Sequence, residues 1–303
     1  MPSEYTLPSP CDSRLHSPFN HGEIALSVSK TFGRTGGRIP IDIILISSDY
    51  VLFYTHEATL LAASNNSFRN LLPLPNQGDP LDKVAFVPEI PSPELEIMLY
   101  SIHNVPKEDF LVHLDIEAVM KAVDGLSEYG IPPSECITPS SHLYQDLLSC
   151  APLYPFEVYA LAAQYGMVSL AATASTHTLV LDLAQLSESL LQRMGAVYLL
   201  LLYQLHMERT KTLMKLLGGE LGIHNPTPRC GFVGQRRLRR KWSMAVVSLV
   251  FLIKPNTTIS LIREKIWEHT SDVMCPDCIR LRDYQLDKVV SEWSMTSRTI
   301  NLR

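Results

Sequence analysis

Two places in this 303-residue sequence combine residue types that do chemistry at workable spacing. The first is Asp42 with His56, since an Asp beside a His can fix the tautomer of a general base. No Ser or Cys sits in a nucleophile elbow, and neither a second base nor an oxyanion loop accompanies the pair. Its expected role is structural, a buried hydrogen bond stapling a strand to a helix. The second place is Cys275-Pro-Asp-Cys278. Two thiolates three positions apart can bite one zinc, Cys230 could add a third ligand, and His224 and His269 are both candidates for the fourth. One Cys-x-x-Cys without a matching second pair is only part of that signal, and no thioredoxin-like strand precedes it to support redox exchange. Packing or free thiols is the first reading of these cysteines, zinc the second and redox the third. Neither a metal ligand nor a cofactor is assigned.

Gln235-Arg-Arg-Leu-Arg-Arg-Lys241 is the densest charge run, with Arg236, Arg237, Arg239, Arg240 and Lys241. It could localise a protein to the nucleus or line up phosphates. On a helix, Leu238 and Trp242 would face inward and leave the basic residues to solvent or to an acidic contact within the chain. Zinc-finger spacing and aromatic ribonucleoprotein motifs are missing, so specific nucleic-acid binding is not expected. Gly33-Arg-Thr-Gly-Gly37 lacks the Gly-Lys-Ser/Thr ending of a phosphate loop and precedes a strand instead of following one. With no HExxH or GxSxG sequence either, the expectation is a protein that is not an enzyme.

The elements that position these residues emerge from periodicity. Ile39 to Ile46, Ser47-Ser48-Asp49 and Tyr50 to Tyr54 read as strand, turn, strand. Thr55 suits an N-cap for a helix through Ala63, and Ser67 suits a cap for a short helix from Phe68 to Leu72, ended by Pro73. Lys83 to Val87 reads as a strand, and Pro93 opens a helix from Glu94 to His103. Helical period continues over Ile116 to Tyr129 and Phe156 to Tyr165. Both end in Tyr-Gly, where Gly130 and Gly166 fit the left-handed position after a helix. Pro132-Pro133, Pro139 and Ser140-Ser141 mark a loop between them. Further helices are expected over Ser169 to Leu181, Leu183 to Met194, Ala196 to Leu205 and Met207 to Leu217. After the break at Gly218-Gly219 and Pro226-Thr-Pro228 come three more, Phe232 to Ile253, Thr258 to His269 and Cys278 to Val290.

Composition sets the frame. Apolar residues make up 46% and charged residues 19%, ample for a core. The apolar runs Met194 to Leu205 and Ser243 to Ile253 are too short to span a bilayer. Met1 to Phe19 lacks the apolar centre of a signal peptide, so the six cysteines are expected to be reduced and the compartment cytoplasmic or nuclear. The net charge of −5 hides an asymmetry, −12 over residues 1–225 and +7 over residues 226–303. A basic tail docked on the acidic body of its own chain is the simpler explanation, ahead of an acidic partner.

Asp42 leading Ile43 to Ile46, then Ser47-Ser48-Asp49, Phe53, His56, Leu60-Leu61, Ser64, Phe68 and Leu71-Leu72 resembles the opening of a BTB/POZ domain. Tyr129-Gly130-Ile131, Ala151-Pro152-Leu153, Glu157 to Ala163, Arg193-Met194-Gly195, Gln235 to Leu238 and Trp242 are similar to a mushroom-type fungal BTB/POZ subfamily of about this length. The resemblance implies an α+β fold, a small mixed sheet capped by helices, followed by an all-helical carboxy-terminal region. Residues 1–36 are expected to be largely disordered, 37–110 to form the BTB/POZ core, 111–225 a helical extension and 226–303 a basic helical region. It also implies that the Asp42–His56 pair is structural and that the work is protein binding, with homodimerisation and an adaptor or scaffold role. Docking to a cullin-type ubiquitin ligase is a further family property, but the hydrophobic-x-Glu motif of such adaptors is missing between Pro73 and Lys83. Ile24, Leu26 and Val28 alternate without an evident local partner and are the candidates for strand exchange with a second chain. The alternative class is a nuclear regulatory protein using the basic segment.

Overall fold

The computed structural model describes residues 26–34, 41–75, 83–110 and 115–301. The fold is mixed α+β. A four-stranded sheet has the order β1 (Ser27–Val28), β3 (Val51–Thr55), β2 (Ile43–Ile46), β4 (Val84–Phe86). β2 and β3 form the antiparallel hairpin that the β-branched run and the Ser-Ser-Asp turn demand, with Ile44 opposite Tyr54. β1 runs parallel to β3 and β4 parallel to β2.

Alternation divides the sheet into two faces. Ile43, Leu45, Phe53 and Ala85 point inward and are buried in one cluster with Leu60, Leu95 and Leu99. Leu60 belongs to α1 (Glu57–Ala63) and the two leucines to α3 (Ser92–His103). α4 (Ile116–Glu128), α5 (Pro133–Cys136), α6 (His142–Cys150), α7 (Pro155–Gln164) and α8 (Val168–Thr178) enlarge the same core. α6 begins just past the Pro139 and Ser140-Ser141 loop marks, because Ser141 accepts a hydrogen bond from the Tyr144 amide and starts it.

Three expectations change. Residues 26–34 are part of the fold: Phe32 is buried, its carbonyl accepts from Tyr54 N, and the Ser29 hydroxyl donates to Glu96. Val28 also has a local partner, since Ser27 and Val28 pair with Val51 and Leu52 of β3; Leu26 lies just before this pairing, and Ile24 lies outside the described residues. The short helix expected after Ser67 is instead a single left-handed turn, α2 (Ser67–Asn70), with φ between 53° and 60° throughout. Long-range bonds hold it there. Ser64 Oγ donates to Tyr129 O while accepting from Phe68 N, Asn66 Nδ2 donates to Glu128 O, and the Phe68 and Tyr129 rings meet at 4.7 Å. Gly130 is required at this contact, for a Cβ would lie 2.4 Å from the Asn66 side chain.

Gly130 and Gly166 both have the positive φ expected after α4 and α7. In each case the following amide folds back five residues, Ile131 N to Leu126 O and Met167 N to Ala162 O, both at 2.8 Å.

The long α9 (Glu188–Leu217), kinked at Gly195, joins two cores. Its Met194, Leu202 and Leu205 belong to the first, and its Leu213 and Leu217 to the second. The division therefore falls inside a helix, ahead of the Gly218-Gly219 break where composition suggests it. α10 (Phe232–Val250), α11 (Ile259–Thr270) and α12 (Pro276–Met295) complete the second core. On α10 the buried residues Gln235, Leu238, Trp242, Ala245 and Leu249 recur every three or four positions, the stripe of an amphipathic helix. Among the described residues, no helix is long and apolar enough to cross a membrane.

Arg209 crosses the junction. Its guanidinium donates to Pro255 O, Thr296 O and Ser297 O, and lies 4.3 Å from the Trp293 ring. Beyond those carbonyls the chain returns to the first core, where Ile300 is buried and its amide donates to Ser175 Oγ.

Candidate functional site

The Asp42–His56 pair meets as expected, but the interaction is a half-exposed ion pair with Nε2 3.7 Å from Oδ2. The strand-to-helix bond runs elsewhere: Asp42 Oδ1 accepts from the backbone amide of Glu57 at 2.7 Å, in the first turn of α1. His56 Nδ1 is engaged with Thr59 Oγ1 at 2.8 Å. Asp49 does for α3 what Asp42 does for α1, accepting from Ser92 N at 2.8 Å and from the Ser92 hydroxyl. Both aspartates of the hairpin thus place negative charge where a helix has free amides. Burial works against Asp49, yet its bonds from Ser47 and Ser92 hold the carboxyl below the usual range.

Thr55 is not the cap of α1. It ends β3, and its hydroxyl meets His103 Nε2 at 2.7 Å. Beside it Glu57 is buried: desolvation would raise its carboxyl, but Lys83 Nζ and the Leu74 amide bind it and hold it below the usual value. A depression of about 320 Å³ flanks α1, lined by Ala62, Ser101, Asn104 and Ile131 among others, with Glu135 and Cys136 its ionisable groups. Burial pushes the Cys136 thiol up, away from a nucleophilic thiolate.

The basic segment lies on α10. Leu238 and Trp242 are buried as the spacing predicts. Arg237 and Lys241 both bind Asp272, and Arg239 donates to Leu221 O, so three of the five cations are engaged with the second unit itself, not with the acidic body. Arg236 and Arg240 are exposed.

The cysteines give the least expected result. Cys230, Cys275 and Cys278 converge with His224, and their ligand atoms all lie within 4.8 Å of one another. Cys230 Sγ is 3.6 Å from Cys278 Sγ, and His224 Nε2 is 3.4 Å from Cys278 Sγ and 3.7 Å from Cys275 Sγ. Sequence weighed His224 and His269 equally for a fourth donor and assigned none. The fold separates them, since His269 Nε2 faces Ser248 Oγ at 3.1 Å.

Each donor is held by its element. Cys275 precedes α12 and Cys278 sits in its first turn, so both sulfurs reach one point. Cys230 closes a tight turn in which its amide donates to Thr227 O and Thr227 N donates to Cys230 O. Gln235, buried on the first turn of α10, clamps the loop: it accepts from His224 N and donates to His224 O. The cluster is electrostatically uneven. The Cys278 amide holds the Cys275 thiol below its ordinary value, whereas burial pushes Cys230 up and Cys278 up to about 12.

Within the class of mixed α+β proteins to which this fold belongs, comparison with family models, with curated proteins and with solved structures finds no match for the chain.

Proposed function

We propose that the chain is a non-catalytic protein-interaction module of BTB/POZ type that self-associates and serves as an adaptor or scaffold. The hairpin, α1, β4 and α3 follow in the order the resemblance implies, with a left-handed turn where a second short helix is expected. Asp42 and His56 support the reading by their bonds, which hold a helix start and leave no general base aimed at a nucleophile.

The observation that carries the proposal is the outer face of the sheet. Register puts Val28, Leu52, Tyr54, Ile44, Ile46, Val84 and Phe86 on the side away from the core, apolar across all four strands. Val28, Val84 and Phe86 are exposed, Leu26 extends the patch at one edge, and Tyr50 stacks on Phe86 at the other. Exposed apolar surface that is contiguous over a whole sheet marks an interaction site. None of the seven named positions carries a charged side chain that would select a differently charged partner, and β1 lies at the end of the sheet order, so a second copy of this chain is the occupant the face fits.

Sedimentation of the full chain tests this directly. A concentration-dependent dimer is expected, reduced to monomer by Phe86→Lys or Val28→Lys. A monomer at high micromolar concentration would remove self-association. A dimer unaffected by both substitutions would place the contact elsewhere, and loss of the dimer only on deleting residues 1–25 would assign it to that segment.

A further inference from the structure

The four donors His224, Cys230, Cys275 and Cys278 are arranged as the corners of a coordination shell. A tetrahedral zinc with bonds of about 2.3 Å to sulfur and about 2.0 to 2.1 Å to nitrogen has edges of roughly 3.8 Å between sulfurs and roughly 3.5 Å between sulfur and nitrogen. Three of the six edges are 3.6 Å for the Cys230–Cys278 sulfur pair and 3.4 and 3.7 Å for the two sulfur–nitrogen pairs, and all six lie within 4.8 Å. A disulfide needs sulfurs about 2.05 Å apart, so Cys230 and Cys278 are not an oxidised pair, and their spacing fits two ligands of one ion.

A second observation concerns the ring of His224. Its Nδ1 is 2.7 Å from the Asn225 carbonyl, which can only accept, so Nδ1 carries the proton and Nε2 presents its lone pair to the sulfurs. Metal-bound histidines are oriented by this kind of bond from the other ring nitrogen to a carbonyl. The Gln235 clamp on the His224 backbone fixes the loop that delivers the ring.

We infer that His224, Cys230, Cys275 and Cys278 form a closed, structural zinc site that ties the loop after α9 to the start of α12. Three sulfurs and one imidazole favour zinc over the hard cations, which take oxygen, and a full tetrahedron leaves no open position for catalysis. The site cross-links residues far apart in sequence around a small core. It is independent of the interaction reading above, because it lies in the second unit, away from the sheet.

Elemental analysis of the purified full chain should find about one zinc per molecule. Refolding the metal-free protein with cobalt should give the visible bands of a tetrahedral thiolate complex. Cys275→Ser and His224→Ala should lose the metal, and Cys150→Ser, outside the cluster, should keep it. His224→Cys guards against a variant that merely fails to fold: it should retain one metal and move the cobalt bands to longer wavelength, as a fourth sulfur requires. Zinc far below one per chain with no cobalt–thiolate absorption would overturn the assignment. So would a Cys230–Cys278 disulfide in freshly purified protein, or zinc retained in full by both Cys275→Ser and His224→Ala.

Discussion

Among the described residues, the first unit gathers 44 buried apolar side chains into one cluster and the second gathers 14. They are stabilised differently as a result. The first has a sheet face, several helices and enough buried area for hydrophobic burial to dominate. The second is three helices and the end of α9, a size at which a core alone supplies little net stability and specific cross-links matter more. It has such links: the Arg209 fan of carbonyl bonds, the Gln235 clamp, indole bonds from Trp242 to Leu217 O and from Trp293 to Thr257 O, and the thiol–imidazole cluster. A small helical unit can therefore be specified by a few directional contacts where a larger one relies on area.

Removing the metal should break the comparison open most widely. Zinc contributes on the order of 10 kcal/mol in small zinc-dependent folds, more than the net stability of a unit this size. Hydrogen exchange after chelation is expected to show α10 to α12 losing protection while β2, β3 and α7 keep it. Equal loss in both units would mean that they fold as one body and that the contrast is false.

Arg209 sharpens the same point at the junction. Arg209→Met keeps the apolar stem but orphans three carbonyls and the stacking on Trp293, for an expected loss of about 2 to 3 kcal/mol. Urea unfolding should separate into two transitions, because the bonds that join α9 to the returning C-terminal segment are those removed.

A graded loss is expected in acid. Burial, with the charge of His56 adding to it, lowers His103 in the first core to about 4; burial, with Arg209 adding to it, lowers His206 at the junction to about 4. Both are neutral in the folded state below the pH at which they protonate in the unfolded chain, whose ordinary value is 6.5. The unfolded state then binds more protons, so stability is full above about pH 6.5 and falls as pH drops toward 4. Thermal melts over that window should show the decline, and His103→Gln with His206→Gln should flatten it.

Legibility in the sequence followed the range of the contacts. The hairpin, the helix stripes and the Tyr-Gly helix ends are set within a few residues, and periodicity finds them. The left-handed turn at Ser67–Asn70 is held by Tyr129 and Glu128, some sixty positions away, so Ser67 looks like an ordinary helix-cap residue until the fold is seen. The thiol–imidazole cluster is only partly legible for the same reason. Cys275-x-x-Cys278 is local and visible, but Cys230 lies 48 residues before Cys278, and His224 was one of two equivalent candidates until Gln235 and Asn225 were seen to aim its ring.

The smallest effect is also the one that separates the two roles open to Asp42. If the residue acts as a helix cap through the Glu57 amide, Asp42→Ala should cost about 1 kcal/mol, the usual value of a lost cap, and Asp42→Asn should recover most of it because the amide oxygen still accepts. His56→Ala should cost less than about 0.5 kcal/mol, since a half-exposed pair at 3.7 Å contributes little. Chemical denaturation of the three variants reads the order directly. A larger loss for His56→Ala than for Asp42→Ala would mean that the ion pair, and not the helix amide, holds β2 to α1.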